Sequence, residues 1–217
     1  MTSPFLEPFQ HALRELPLVA ILRGLTPAEA PGVAHVLHDA GFRLIEVPLN
    51  SPQPFESIAL IRQLLPADTL VGAGTVLQVA DVERLRATGA GLVVMPHADT
   101  AVIRAASAAG LICLPGIATP TEAFAAIAAG ACGLKLFPAE TLGPAGLRAM
   151  RAVLPPALPV FPVGGITPDT LKPFVDAGAR GFGLGSALYR PGMPLEAVAA
   201  QAAAFAAAWR ALAPAEP

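Results

Sequence analysis

Short apolar runs of strand length recur along this chain, separated by longer segments that carry the signals of helices. Most of the eight runs are apolar without interruption, which is typical of parallel strands covered by helices. They lie at 18–22, 44–47, 70–72, 92–95, 111–114, 133–137, 160–163 and 181–184. This alternation constrains the fold more than any other feature, because parallel neighbours need long crossover connections, which are usually helices.

Helix boundaries are marked at both ends. The segments 26–29 and 119–122 each combine a capping Thr, a Pro at the first helical position and the Glu of a capping box. Glycines stand where a helix C-cap needs a positive φ, at Gly41, Gly89, Gly110, Gly130 and Gly178. Their spacing corresponds to one or two strand–helix units of roughly 20–24 residues.

Eight strands alternating with helices predict one α/β domain over residues 1–217, folded as a (β/α)8 TIM barrel. An open doubly wound sheet also alternates in this way and is the alternative. The barrel is preferred because the count is eight and no dinucleotide-binding glycine fingerprint follows the first strand. The first sixteen residues are expected to form an extra helix that covers the bottom of the barrel.

Composition limits the classes of function. Hydrophobic residues make up 54% of the chain and charged residues 14%, with a formal net charge of −2. This excludes an intrinsically disordered chain and provides no basic surface for nucleic acid or an anionic membrane. Two cysteines are too few for a disulfide scaffold, and no segment has the pattern of a signal peptide or membrane span. We therefore expect a cytoplasmic protein without nucleic-acid or membrane partners.

Lys135 carries the sharpest chemical signal, since it is one of only two lysines and lies within an apolar strand between Leu134 and Leu136. Lysine is rarely buried unless it is paired or functional. Burial lowers the pKa of an amine, which leaves it unprotonated and nucleophilic, as Schiff-base chemistry requires. The structural alternative is a lysine whose stem packs in the strand while its ammonium reaches solvent.

Glu46 lies in the second strand between Ile45 and Val47. Apolar surroundings raise the pKa of a carboxyl group, which suits it to proton transfer near neutral pH. A structural ion pair with Arg23, at the end of the first strand, is the alternative, and the two roles are compatible. The guanidinium of Arg23 is suited to hold a carboxylate or to stabilise a developing alkoxide.

Two glycine-containing turns follow the seventh and eighth strands. They contribute Gly164 with Gly165, and Gly185 with Ser186. Backbone N–H groups in such turns approach a phosphate closely, and barrels that bind phosphorylated sugars use these two strand ends. Tight turns also need glycine for their own geometry, but the pairing of two such loops favours a phosphate site.

A third turn follows the third strand and contains Gly72, Gly74 and Thr75. Its small residues and hydroxyl group are suited to hold a carboxylate, although a plain tight turn explains it nearly as well. No set of His and carboxylate residues has the spacing of metal ligands, so neither a metal nor another cofactor is expected.

These groups together indicate one reaction. A keto acid with a distal phosphate would form an imine with Lys135, and the iminium would accept electrons from a breaking C–C bond while Glu46 moves protons. This is the chemistry of a metal-free, class I aldolase. Two alternatives remain: an isomerase, epimerase or thiamine-type synthase on the same barrel, and a non-catalytic sugar-phosphate sensor.

Over residues 16–210 the chain resembles the 2-keto-3-deoxy-6-phosphogluconate/galactonate aldolase family. The motifs that carry the resemblance are VAILRG at 19–24, IEV at 45–47, VGAGTV at 71–76, LPG at 114–116, LKLFP at 134–138 and VGG at 163–165. The resemblance implies a homotrimer of (β/α)8 barrels acting on a phosphorylated keto acid. It assigns the Schiff base to Lys135 and acid–base catalysis to Glu46, which works through a water.

The resemblance also implies which residues meet the substrate. Its carboxylate would lie against the turn that contains Gly72, Gly74 and Thr75, beside Arg23, and Pro96 would shape the pocket. The residues implied for the phosphate are Gly164, Gly165, Gly185 and Ser186.

Two departures from the gluconate branch of the family bear on the substrate. The segment 46–52 follows the galactonate pattern, and Val163 stands where the gluconate enzymes place Thr. A Thr hydroxyl can hydrogen-bond the C4 hydroxyl of the gluconate epimer, whereas Val would leave that group unpaired, at a cost of roughly 1–3 kcal/mol. The expected substrate is therefore 2-dehydro-3-deoxy-6-phosphogalactonate, with its C4 epimer as the alternative.

Overall fold

The computed structural model describes residues 3–212, in which parallel strands alternate with helices. The strands are β1 (Leu18–Ile21), β2 (Leu44–Pro48), β3 (Leu70–Gly74), β4 (Leu92–Val94), β5 (Ile112–Leu114), β6 (Gly116–Ile117), β7 (Leu134–Leu136), β8 (Val160–Pro162) and β9 (Phe182–Leu184). The helices are α1 (Leu6–Glu15), α2 (Ala30–Asp39), α3 (Pro54–Leu64), α4 (Val79–Ala87), α5 (Thr100–Ala108), α6 (Pro120–Ala128), α7 (Ala139–Arg151), a 3₁₀ turn (Pro168–Thr170), α8 (Leu171–Asp176) and α9 (Leu195–Leu212).

The strands form a curled parallel arrangement with hydrogen bonds in two groups. One group has the order β5-β4-β3-β2-β1-β9 and the other the order β6-β7-β8. A single bridge between Val163 and Gly183 connects the end of β8 with β9. The predicted α/β class, with parallel strands and helical crossovers, is confirmed. The predicted domain bounds, 1–217, include residues 1–2 and 213–217, which lie outside the described residues.

The fifth predicted strand differs from the sequence expectation. It continues beyond Pro115 as the short strand β6, so that β5 pairs with β4 while β6 pairs with β7. The interruption has a simple cause, because proline has no N–H to donate to a ladder. The Pro115 carbonyl still accepts a hydrogen bond from the Lys135 N–H at 2.8 Å, which keeps the two halves of the strand in line.

The predicted helix-ending glycines, 41, 89, 110, 130 and 178, all have positive φ. The predicted capping box at 119–122 forms at the start of α6. At 26–29 the same hydrogen bonds form between Thr26 and Glu29, yet α2 begins only at Ala30. The residues between them make a turn, in which the N–H groups of Glu29 and Ala30 both donate to the Thr26 carbonyl.

The fold has two apolar layers. The outer one lies between the strands and the helices that surround them. The inner one fills the space enclosed by the strands and includes Val19, Leu44, Leu70, Leu92, Val94, Ile112, Leu114 and Phe161. Helix α1 contributes Phe9 and Ala12 to this inner layer, and the Phe9 and Phe161 rings lie 6.4 Å apart. The N-terminal helix therefore covers the amino ends of the strands, as its position in the chain predicts.

The Ala-rich C-terminal segment forms α9, which packs against α2. Val198, Ala202, Phe205 and Ala206 are buried in this contact region. Within the described part of the chain, no helix is long and apolar enough to cross a membrane.

Candidate active site

A cavity of about 360 Å³ opens at the carboxyl ends of β1, β7, β8 and β9. Function in parallel barrels concentrates at this end of the strands, because the loops that follow them gather there. The predicted site residues on its wall are Arg23, Pro96, Lys135, Val163, Gly164, Gly165, Gly185 and Ser186. His97, the neighbour of Pro96, is exposed and is not part of this wall.

Lys135 occupies the middle of β7. Side chains alternate along a strand, so Leu134 and Leu136 join the outer apolar layer while Lys135 points inward. Only 7% of Lys135 is exposed, and its Nζ lies 4.7 Å from the centre of the Phe137 ring. Burial lowers the pKa of this amine, the nearby Glu46 charge opposes that shift, and Arg23 adds to it. The structure thus has the buried lysine that the sequence predicts.

Glu46, in β2, is 2% exposed, and within residues 3–212 its Oε2 has no hydrogen-bond partner. Burial raises the pKa of this carboxyl group to about 7, although the charges of Lys135 and Arg23 and the Gly74 N–H all act to lower it. A group with this pKa gives and accepts protons with similar ease near neutral pH. Glu46 does not line the open cavity but lies behind it, within electrostatic reach of the amine.

The turn at the end of β3 supports Glu46 rather than lining the cavity. A Cβ on Gly74 would overlap the Glu46 carboxylate, so this position requires glycine. A Cβ on Gly72 would overlap the Leu92 carbonyl, so here the requirement comes from close strand packing. Thr75 has φ +55°, which is rare for a residue with a branched side chain, and it is half-buried. All three residues lie outside the cavity wall.

Arg23 is exposed at the cavity mouth and is held by the loop after β2. Its Nη1 donates to Asn50 Oδ1 at 2.6 Å, and the neighbouring Gly24 N–H donates to Ser51 Oγ at 2.9 Å. None of the ion pairs found in residues 3–212 joins Arg23 to Glu46. The structural alternative considered for Glu46, a direct ion pair with Arg23, is therefore wrong.

The two predicted glycine turns follow β8 and β9 and line the same cavity, and β9 pairs with β1, the strand that Arg23 follows. Gly164 and Gly165 have φ +108° and +67°, a conformation that L side chains rarely adopt. Added Cβ atoms there would lie 3.3 Å and 2.8 Å from Glu140 Oε2, so the exposed Glu140 side chain would have to move to admit them. Gly185 is different, because nothing lies within 4 Å of a Cβ added there. These turns form an open surface of backbone beside Ser186.

Sequence reasoning missed several residues on the wall, including the positively charged Arg190. Phe137 and Thr167 also line the cavity. Arg190 follows Ser186 by four residues, and its Nε donates to the Ser186 carbonyl at 3.0 Å. The prediction considered only residues at the strand ends, whereas the loop after β9 folds back over the cavity before α9 begins.

Three of the four histidines lie on helices. His11 lies on α1, and His35 and His38 lie on α2. In residues 3–212, no three His, Cys, Asp or Glu side chains are grouped so that they could hold a metal ion. Lys172, the other lysine, lies on α8 and forms a surface ion pair with Asp176 at 2.8 Å.

A family model described as KDPG and KHG aldolase matches residues 9–198. This chain belongs to that aldolase family. It is 52% identical over 198 residues to a protein of Rhizobium meliloti (strain 1021) named a probable 2-dehydro-3-deoxy-6-phosphogalactonate aldolase, covering 91% of this chain and 93% of that one. It is 49% identical over 196 residues to the 2-dehydro-3-deoxy-6-phosphogalactonate aldolase of Escherichia coli (strain K12), covering 90% of this chain and 96% of that one.

A solved structure described as native KDPGal has the same fold. It superposes with a TM-score of 0.90 and 48% sequence identity, covering 91% of this chain and 96% of that chain. The sequence resemblance to the aldolase family, inferred from six short motifs, is therefore confirmed over the whole fold.

Proposed function

We propose that this protein is a class I aldolase that cleaves 2-dehydro-3-deoxy-6-phosphogalactonate reversibly to pyruvate and D-glyceraldehyde 3-phosphate. The observation that carries the proposal is the buried Lys135 amine at the floor of the cavity, with the buried carboxyl group of Glu46 behind it and within electrostatic reach. The names of the relatives at 52% and 49% identity support the same reaction.

The first step requires an unprotonated amine. The Lys135 nitrogen adds its lone pair to the C2 carbonyl carbon, and the hydroxyl group of the resulting carbinolamine takes up a proton and leaves as water to give an iminium ion. The lowered pKa of Lys135, caused by burial, increases the fraction of amine that can react at neutral pH. Phe137, whose ring lies beside Nζ, limits access of bulk water to the bond being formed.

Cleavage requires a base and then an acid. Glu46 removes the proton of the C4 hydroxyl, through a bridging water, and the electrons of the C3–C4 bond move into the iminium to form an enamine. The aldehyde leaves, the protonated base returns a proton to C3, and water hydrolyses the pyruvate imine to regenerate the amine. Because the pKa of Glu46 is about 7, one carboxyl group can perform both transfers.

The substrate carries a carboxylate at one end and a phosphate at the other. For the substrate carboxylate we assign Arg23, which is held by Asn50. The turn that contains Gly72, Gly74 and Thr75 lies outside the cavity wall, and Gly74 lies against the Glu46 carboxyl group, so we assign to this turn the placing of Glu46. Pro96 forms an apolar part of the wall near the reacting carbons.

For the phosphate we assign the turns that contain Gly164, Gly165, Gly185 and Ser186. Positive φ at the first two exposes backbone N–H groups to the cavity, and the lack of neighbours around Gly185 leaves room for a large anion. These turns and Lys135 line the same cavity, which suits a substrate that carries both a keto group and a phosphate.

Trapping with borohydride tests the mechanism directly. Incubation with pyruvate and sodium borohydride, followed by peptide mass mapping, is expected to give a reduced adduct on Lys135. An adduct on Lys172 alone, or none, would overturn the Schiff-base assignment. It would favour the isomerase, synthase or sensor alternatives, which need no covalent bond to pyruvate.

The choice of C4 epimer depends on Val163. This residue is 8% exposed and lines the cavity next to Gly164. The kcat/KM values of the two epimers are expected to favour the galactonate substrate, and Val163→Thr is expected to shift their ratio by about ten-fold toward the gluconate epimer. If the ratio of the two kcat/KM values is the same in both proteins, Val163 does not determine the choice of epimer.

The proposal includes closure of the strands into one (β/α)8 barrel that forms a single domain. The bridge between Val163 and Gly183 supports closure on one side. On the other side, the Cys132 N–H donates to the carbonyl of Cys113, in the middle of β5, at 3.0 Å, which links β5 with the chain entering β7. If the barrel is closed, the amides of both links should be protected from hydrogen exchange as strongly as the amides of the central strands.

We also propose that the protein is a cytoplasmic homotrimer. Leu77, Val79 and Phe124 are exposed apolar residues, which supports burial in a subunit interface. Cys113 and Cys132 are both free thiols, which supports a reducing compartment. Light scattering coupled to size-exclusion chromatography, which gives the molar mass in solution, tests the trimer.

A further inference from the structure

Residues 188–192, here called the rim segment, follow β9 and carry Arg190 to the mouth of the cavity. Leu188 and Tyr189 are 0% and 2% exposed, so the start of the segment is anchored in the protein, while Arg190 itself is exposed. The hydrogen bond from Arg190 Nε to the Ser186 carbonyl orients the guanidinium along the phosphate side of the cavity.

Arg190 is the cationic side chain of the cavity that the aldolase chemistry does not use. Arg23 and Lys135 are assigned to the keto-acid end. Among the described residues, no Asp or Glu lies on the cavity wall, and no carboxylate forms an ion pair with Arg190. An unpaired guanidinium beside glycine turns is suited to bind a phosphate with two parallel hydrogen bonds.

One carboxylate holds the rim segment in place. Glu29 Oε1 accepts hydrogen bonds from the Tyr189 hydroxyl at 3.2 Å and from the Gly192 N–H at 2.9 Å. These two donors lie on either side of Arg190 in the chain. The Glu29 side chain therefore fixes the backbone that carries the guanidinium, although Glu29 does not line the cavity.

The other oxygen of Glu29 is bound to the loop after β1. Glu29 Oε2 accepts hydrogen bonds from the Thr26 N–H at 3.1 Å and the Thr26 hydroxyl at 2.6 Å. The same loop packs directly on the rim segment, because a Cβ on Gly24 would lie 2.5 Å from Pro191 Cγ. Glu29 thus joins the loop that carries Arg23 to the segment that carries Arg190.

The ionised state of Glu29 fits this role. Partial burial acts to raise its pKa, but the hydrogen bonds from Thr26, Gly192 and Tyr189 together lower it below the usual value. Burial and the Glu29 charge raise the pKa of Tyr189, so the phenol stays protonated as a donor. The connection is therefore intact over the whole neutral range of pH.

We propose that Glu29 is a positioning residue for phosphate recognition: it holds the rim segment so that Arg190 binds the substrate phosphate. Arg190 touches the ligand, and Glu29 acts through Arg190. This inference deepens the proposed function and rests on it, since it presupposes a phosphorylated substrate in this cavity.

Aldol addition of pyruvate to two aldehydes separates phosphate recognition from the chemistry. With D-glyceraldehyde 3-phosphate, Glu29→Gln is expected to raise KM about ten-fold, and Arg190→Gln ten-fold or more, because a charge-assisted contact is lost. With D-glyceraldehyde, which has no phosphate, both variants are expected to keep the kcat/KM of the native protein. Tyr189→Phe removes one of the four hydrogen bonds to Glu29 and is expected to cause a smaller shift of the same kind.

Glu122→Gln provides the matched control. Glu122 belongs to the capping box of α6 and accepts from the Thr119 N–H and hydroxyl just as Glu29 does from Thr26, but it has no bond to the rim segment. It is expected to change the melting temperature without changing KM for either aldehyde. Equal losses with both aldehydes in Glu29→Gln would show a general structural role and overturn the proposal.

The double variant tests whether Glu29 acts through Arg190. If it does, Glu29→Gln combined with Arg190→Gln is expected to be no worse than Arg190→Gln alone. Additive losses would overturn the proposal. Failure of the proposed function looks different, since the native protein would then add pyruvate to neither aldehyde and borohydride would trap nothing on Lys135.

Discussion

The floor and the rim of the cavity are built on different principles. At the floor, Lys135 and Glu46 come from the middle of strands, are almost fully buried and have pKa values shifted toward each other. At the rim, Gly165, Ser186 and Arg190 come from loops and offer backbone and an exposed guanidinium. In the proposed mechanism, burial therefore makes the amine and the carboxyl group reactive, whereas recognition of the phosphate depends on loops that hydrogen bonds hold in place.

Replacing the floor amine is expected to have the largest effect. Lys135→Met should reduce aldolase activity by about four orders of magnitude or more, because the covalent intermediate cannot form. The control is Lys172→Met, which removes the exposed lysine of α8 and should leave kcat/KM unchanged. Steady-state kinetics with the phosphorylated substrate measure both, and appreciable turnover by Lys135→Met would contradict a Schiff-base mechanism.

Replacing the floor carboxyl group is expected to come second. Glu46→Gln should lower kcat by about 10²–10⁴-fold, since proton transfer by a positioned group contributes that much. Pyruvate should still be trapped on Lys135 by borohydride, more slowly. In the native protein, kcat for cleavage should rise with pH through about 7 as Glu46 becomes a base, and Glu46→Gln should lose that rise. A pH profile that is the same in both proteins would exclude Glu46 as the proton carrier.

The same buried carboxyl group makes stability depend on pH. Its pKa is raised from 4.5 to about 7 in the folded protein, so folding favours the protonated form. That contribution is complete below pH 4.5 and is lost as the pH rises through 7, by up to about 3 kcal/mol. Relative to the native protein, Glu46→Gln should therefore gain stability between these pH values. Denaturant unfolding at several pH values checks this, and parallel curves would show that Glu46 titrates normally.

A change at the rim is expected to have the smallest effect. Gly165→Ala places a Cβ at φ +67°, which strains the turn, and 2.8 Å from Oε2 of Glu140, an exposed side chain that must move aside. We expect KM for the phosphorylated substrate to rise about ten-fold, with kcat nearly unchanged, because only binding is affected. Gly143→Ala is the control, since it places a Cβ at a similar φ of +65°, away from the cavity wall and with no neighbour within 4 Å. A loss of kcat in Gly165→Ala would mean that floor and rim are not separate.

The sequence predicts the floor better than the rim. A lone lysine and a lone glutamate within apolar strands stand out against their neighbours, and strand periodicity alone places them at the inner face. The predicted α/β class and the helix-ending glycines follow from equally local signals. The glycine-rich turn after β3 also predicts that Gly72 contacts the substrate. In the structure, glycine is required at this position because a Cβ would overlap the Leu92 carbonyl of the neighbouring strand.

What the sequence does not predict is how loops fold back. Arg190 and Glu29 are 161 residues apart by their numbering, and no local pattern joins them. Their connection through Tyr189 and Gly192 arises only because the first and last strands of the chain, β1 and β9, pair with each other. The sequence likewise does not predict how the fifth strand is interrupted at Pro115. A proline indicates that strand pairing ends, but not that the chain resumes pairing with a different strand.

Helix α1 places Phe9 against Phe161 at the amino ends of the strands, beneath the reacting groups. In the proposed mechanism, substrate therefore enters and products leave through the loop end, and the pyruvyl fragment stays bonded to Lys135 when the aldehyde forms. The aldehyde must diffuse away before pyruvate can follow. Turnover thus has a fixed order of release, in which pyruvate, as the last product to leave, competes directly with the incoming six-carbon substrate.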